Sequence, residues 1–115
     1  MTTAMRTAMR TAMQYWAMLV LALLLPGAHS AEPDSVKVEI EDFKFAPAEI
    51  TVQPGTRVTW TNEDVDSHTV VSDDGLFRSG GLDTGDSFSY TFNKAGTYHF
   101  TCSVHPKMVG TVIVK

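Results

Sequence analysis

The chain has 115 residues with 9 Lys and Arg, 13 Asp and Glu, 4 His and a single Cys, for a formal charge of −4. That length suits one domain, and 43% hydrophobic residues suffice for a core. The charge and the lack of a basic stripe exclude nucleic acid as a partner, while one cysteine excludes an intrachain disulfide, an iron–sulfur cluster, a c-type haem and a cysteine-rich zinc site.

Residues 1–14 repeat T-A-M-R with a period too short for a structural repeat, leaving Met1, Met5, Met9 and Met13 as alternative start sites. Arg6 and Arg10 precede the apolar run Tyr15–Leu25, and Pro26-Gly27 and the small-residue stretch Ala28-His29-Ser30-Ala31 follow it. An apolar run that short does not cross ~30 Å of hydrocarbon, which takes about 20 residues. These three parts predict a secretory signal peptide over residues 1–30, cleaved after Ser30, and a single domain over residues 31–115. The expected location is the periplasm, with no membrane span left after cleavage; an uncleaved anchor is the alternative. The mature piece would hold 7 basic and 13 acidic residues, a net charge of −6. Its histidines would be His68, His99 and His105, and its one methionine Met108.

After residue 35 the apolar pattern has period two. Val36, Val38 and Ile40 alternate with polar residues, as do Ile50 and Val52, Val58 and Trp60, then Phe88, Tyr90 and Phe92. Tyr98, Phe100 and Cys102 continue the pattern, and Val109–Val114 closes the chain. Such alternation predicts strands with one face on a core. Pro54-Gly55 fits the centre of a type II turn, and Asp73-Asp74-Gly75, Gly80-Gly81 and Asn93–Gly96 mark further turns. About seven short strands and no helix predict an all-β fold, an antiparallel Greek-key β-sandwich. Gly96-Thr97-Tyr98 looks like the start of a tyrosine corner. Glu63–Asp86 is the least regular stretch, with polar loops around His68.

The segment Cys102-Ser103-Val104-His105-Pro106-Lys107-Met108 brings a thiol, an imidazole and a thioether into one loop between two strand patterns. His68, expected to begin a strand, lies in a region that can reach the same end. Together they make a His₂Cys set with an axial Met. Soft sulfur and imidazole with a weak thioether select copper over zinc, which prefers a carboxylate or water as fourth ligand. Such a set lies between the geometries that Cu(I) and Cu(II) favour, so little has to move on electron transfer.

The stretch GTYHFTCSVHPKMVGTVIV, with VTWTN and SHTV upstream, resembles the cupredoxins, the small blue copper proteins of the amicyanin, pseudoazurin and plastocyanin group. The resemblance covers Val36 to Lys115. It implies a cupredoxin-like sandwich and one mononuclear type 1 copper ion held by His68, Cys102, His105 and Met108. It also implies one-electron transfer, and a monomer is expected. Partners would be redox proteins, such as a cytochrome or a copper or quinone enzyme, docking transiently near His105. A copper-delivery protein using the same ligands is the second reading. Many members carry Asn after the first His ligand and Pro two residues after the Cys; here Thr69 and Val104 stand there. The Thr69 hydroxyl is expected to bridge the two ligand loops in place of the amide, and Val104 keeps an N–H that can turn toward the Cys102 sulfur.

His99 alternates with Tyr98 and Phe100 and is expected to face water. Asp64, Asp66, Asp73 and Asp74 lack the calcium-loop spacing and read as turn formers. Trp60, Phe43 and Phe45 read as core. Three mature histidines cannot also build a trinuclear copper site, and no nucleophile-elbow or phosphate-loop motif is present, so no enzyme is expected.

Overall fold

The computed structural model describes residues 34–115, and the leader expected over residues 1–30 lies outside them. Eight strands follow in order: β1 (Ser35–Glu41), β2 (Lys44–Ala46), β3 (Glu49–Val52), β4 (Thr56–Asn62), β5 (Val71–Ser72), β6 (Ser87–Phe92), β7 (Gly96–Thr101) and β8 (Val109–Val114). They form two four-stranded sheets, β2-β1-β4-β6 and β3-β8-β7-β5. The described residues contain no helix.

The sandwich is as expected, but its sheets are mixed rather than antiparallel. Strand β1 runs parallel to β4, with Val38 opposite Trp60, and β3 runs parallel to β8, with Val52 opposite Val114. Alternation reports which face of a strand is buried; it carries no information on strand direction or neighbour. Parallel neighbours need a long crossover, and here the chain supplies one by entering the other sheet between β2 and β3. The extra strand is β2, whose three residues are too short to show a period. Residues 63–86 are irregular as expected, holding only β5 and the bridges His68–Leu82 and Val71–Arg78.

Val38, Ile40, Val58, Phe92, Phe100, Val112 and Val114 are buried between the sheets. Trp60 lies among them, its ring against Phe77, Phe88, Phe92 and Phe100 at centroid distances of 5.3–6.4 Å. Two turns match the sequence reading. Gly55 has φ 92° behind Pro54, and the Thr56 amide donates to the Gln53 carbonyl, as a type II turn requires. The Tyr98 hydroxyl donates to the Lys94 carbonyl at 2.6 Å, closing the tyrosine corner. His99 is exposed, its Nδ1 3.1 Å from the Thr111 hydroxyl.

Gly110 on β8 lets the sheet close over Phe100. A Cβ there would clash with the edge of the Phe100 ring and lie 2.9 Å from the Ala48 carbonyl oxygen. Gly110→Ala is therefore expected to destabilise the protein by roughly 1–3 kcal/mol, the cost of overpacking a close-packed core. Denaturant unfolding checks it, and an unchanged midpoint would show that Phe100 has room to move.

Candidate metal centre

Strands β7 and β8 pair as far as Thr101 opposite Val109. The Cys102 amide then donates to the Met108 carbonyl at 3.1 Å, adding one rung, and the Met108 amide donates to the His105 carbonyl at 2.9 Å. These two bonds pinch the loop into a compact tip. Cys102 continues the inward alternation set by Phe100, so its side chain is fully buried, and Met108 is buried beside it. His105 is half-buried at the rim.

His68 comes from the other side of the same end. It is held by a bridge to Leu82, with reciprocal backbone bonds of 3.1 and 2.7 Å, rather than standing at the start of a strand. Its ring is completely buried. Nδ1 faces the Cys102 Sγ at 3.9 Å, and the His105 ring centroid is 5.1 Å from its own. His105 and Met108 together line an open depression of about 390 Å³ with Phe43, Val104, Pro106 and Lys107. All four residues picked from the sequence thus gather at one end. Among the described residues, however, no three His, Cys, Asp or Glu side chains close into a finished ligand cluster.

Thr69 bridges the two loops as expected. Its amide donates to Cys102 Sγ at 3.3 Å, and its hydroxyl accepts from the Ser103 amide at 2.8 Å and lies 2.7 Å from the Ser103 hydroxyl.

Residues 14–114 match the family described as the cupredoxin-like domain. The chain belongs to the cupredoxins. It is 37% identical over 87 residues to amicyanin from Paracoccus versutus, a match covering 71% of this chain and 66% of that one. It is 34% identical over 103 residues to the chloroplastic plastocyanin of Tetradesmus obliquus, covering 76% of this chain and 71% of the plastocyanin. Among solved structures, a purple cupredoxin from Nitrosopumilus maritimus superposes with a TM-score of 0.65 at 34% identity, covering 70% of this chain and 99% of the other.

Cupredoxin relatives such as amicyanin and plastocyanin carry a single type 1 copper ion, and the donors here fit one. Metal bonds of about 2.0 Å to imidazole and about 2.3 Å to thiolate span up to ~4.3 Å, so a 3.9 Å gap between Nδ1 and Sγ takes one ion at an open angle. A dry thiol beside an imidazole and a thioether is also soft enough for Cu(I). Burial raises the Cys102 pKa, but the Thr69 amide, the His68 ring and the His105 and Val104 amides outweigh it, lowering the pKa from 9.0 to about 7. The amide that hydrogen-bonds the sulfur is that of Thr69 rather than the Val104 amide singled out in the sequence.

Two residues of this cupredoxin end depart from the sequence reading. Asp64 is no plain turn former: its carboxylate lies 2.8 Å from His68 Nε2 and accepts the amides of Asp42 at 2.7 Å and Phe43 at 3.0 Å. Burial opposes its ionisation, but these two amides and His68 hold its pKa below the usual 3.8. Phe43 is not core. It is 47% exposed, and its ring stands edge-on to both His68 and His105. The available signal was a carboxylate four residues before a candidate ligand; nothing in the sequence pattern placed Phe43 there.

In the metal-free protein the ultraviolet absorbance of the Cys102 thiolate should appear with a midpoint of about 7. A thiol ionising more easily when folded adds stability that is complete above the unfolded pKa and is lost as pH falls through the folded one. Metal-free protein should therefore gain stability from pH 7 to 9 relative to its Cys102→Ser variant. Parallel pH profiles for the two, by denaturant unfolding, would contradict the shift.

Proposed function

We propose that the protein is an exported one-electron carrier whose copper ion is held by His68, Cys102, His105 and Met108. The observation that supports this most is the dry Cys102–His68 pair, with its second imidazole, His105, at the rim of an apolar depression. Copper in such a set supplies reversible exchange between Cu(I) and Cu(II). The protein residues do the rest. Cys102 gives a charged, polarisable sulfur, while the Thr69 amide fixes its direction. Burial of His68 and Cys102 excludes water and leaves His105 as the way out for the electron.

Around His105 the depression presents Phe43, Val104, Pro106 and Met108, with Val104 56% exposed. A small apolar rim suits transient docking, because contact dries the path without binding tightly. Redox proteins are the partners this rim fits, and the acidic balance favours basic ones, although Lys107 sits within it. Export is supported by the charge, apolar run and small-residue site of residues 1–31. No helix among the described residues is long and apolar enough to cross a membrane.

Copper-loaded protein should show an intense thiolate-to-copper band and a reversible one-electron wave in voltammetry. Cys102→Ser should lose the band, because a hydroxyl cannot replace the covalent thiolate bond. A band without a reversible wave, together with ready loss of copper to a chelator, would favour delivery over electron transfer. Val104→Glu should slow electron self-exchange between oxidised and reduced copies, measured by NMR line broadening, since it places like charges in the contact. An unchanged exchange rate would remove the rim from the pathway.

A further inference from the structure

The two residues between β1 and β2, Asp42 and Phe43, both have left-handed backbone, at φ 54° and 58°. Glu41 pairs with Lys44 across them, so this is a two-residue hairpin turn. Its geometry favours Asn-Gly or Asp-Gly. A Phe in this region is an outlier, and such outliers persist where the surroundings over-determine them. Here the surroundings are the Asp64 carboxylate, whose Oδ1 takes the Asp42 amide and whose Oδ2 takes the Phe43 amide. The same Oδ2 is 2.8 Å from His68 Nε2. The turn so held places the Phe43 ring 5.3 Å from His68 and 5.0 Å from His105, at 89° to each.

Asp64 is itself held. Its amide donates to Asn62 Oδ1 at 2.9 Å, while the buried Asn62 amide group donates to the carbonyls of Asp66 and Leu82, each at 2.8 Å. The Thr84 hydroxyl donates to the Asp64 carbonyl. Leu82 is the residue that brackets His68, so the carboxylate and the imidazole are fastened to one frame.

We propose that Asp64 is a positioning residue for the copper site, fixing the tautomer of His68 and, through the Asp42–Phe43 turn, seating an aromatic ring against both imidazoles. The inference rests on the reading of His68 and His105 as ligands. An ionised carboxylate only accepts, so the shared hydrogen belongs to Nε2. The lone pair of the neutral ring is then on Nδ1, the nitrogen facing Cys102 Sγ. An acceptor on the far nitrogen strengthens an imidazole as a donor. A stronger donor favours Cu(II), so Asp64 lowers the reduction potential.

Nitrogen-edited NMR of the metal-free protein reads the His68 tautomer, and voltammetry of the copper-loaded protein reads the potential. Wild type should show a slowly exchanging proton on His68 Nε2. Asp64→Asn should lose that slow exchange and shift the potential upward, and Asp64→Glu should restore both in part. Phe43→Gly keeps the amide and suits the left-handed backbone, so it should keep the Nε2 proton. An Nδ1–H tautomer in metal-free wild type would overturn the proposal, as would an Asn variant with both readouts unchanged. Loss of the proton in Phe43→Gly would overturn it too, by showing that ring packing holds His68. The tautomer is read without metal, so this outcome stands apart from whether copper binds the four residues.

Discussion

The chain end that carries the chemistry depends on one crossing between its two sheets' loops: the Thr69 amide on the Cys102 sulfur, with the Thr69 hydroxyl on Ser103. His68 and Cys102 are 34 residues apart in sequence. Beside that crossing, the β5–β7 pairing sets Val71 opposite Thr101, and the crossing carries that connection one step further, to the sulfur itself. A hydrogen bond to a charged acceptor is about twice as strong as a neutral one. The same bond that aligns the two loops therefore also favours the thiolate, so structure and ligand chemistry draw on one interaction.

Around that crossing, rigidity is graded. His68 is fixed by the Leu82 bridge, the Asp64 carboxylate and complete burial. Cys102 is fixed by an added rung of the β7–β8 ladder. His105 is tied at its carbonyl by the Met108 amide, while its half-buried ring stands at the rim, against Phe43. On the proposed reading, a site built this way would keep its buried donors in place when charge changes and leave contact with the outside to one imidazole. Low reorganisation of this kind would follow from packing density and fixed hydrogen bonds, which a close-packed sandwich supplies.

Much of this was legible in the sequence because two signals are local. Alternation exposed the strand faces of Val36–Ile40, Val58–Trp60 and Phe88–Phe92, and the spacing of Cys102, His105 and Met108 put three donor types in one loop. What stayed hidden was non-local. Parallel pairing of β1 with β4 depends on where the chain changes sheets, which alternation does not encode. Asp64 looked like one turn-forming aspartate among several, because its partners Asp42 and Phe43 come from across the fold. Phe43 looked like core because it is apolar, yet a left-handed backbone aims its ring at the imidazoles.

On the proposed reading, a prearranged set of one thiolate, two imidazoles and a thioether holds copper in both oxidation states with little movement. X-ray absorption at the copper edge, on the oxidised and the reduced protein, tests it most directly. One short copper–sulfur distance and two copper–nitrogen distances are expected in each state, with only small changes between them. A shell dominated by oxygen, or loss of a nitrogen ligand on reduction, would contradict it.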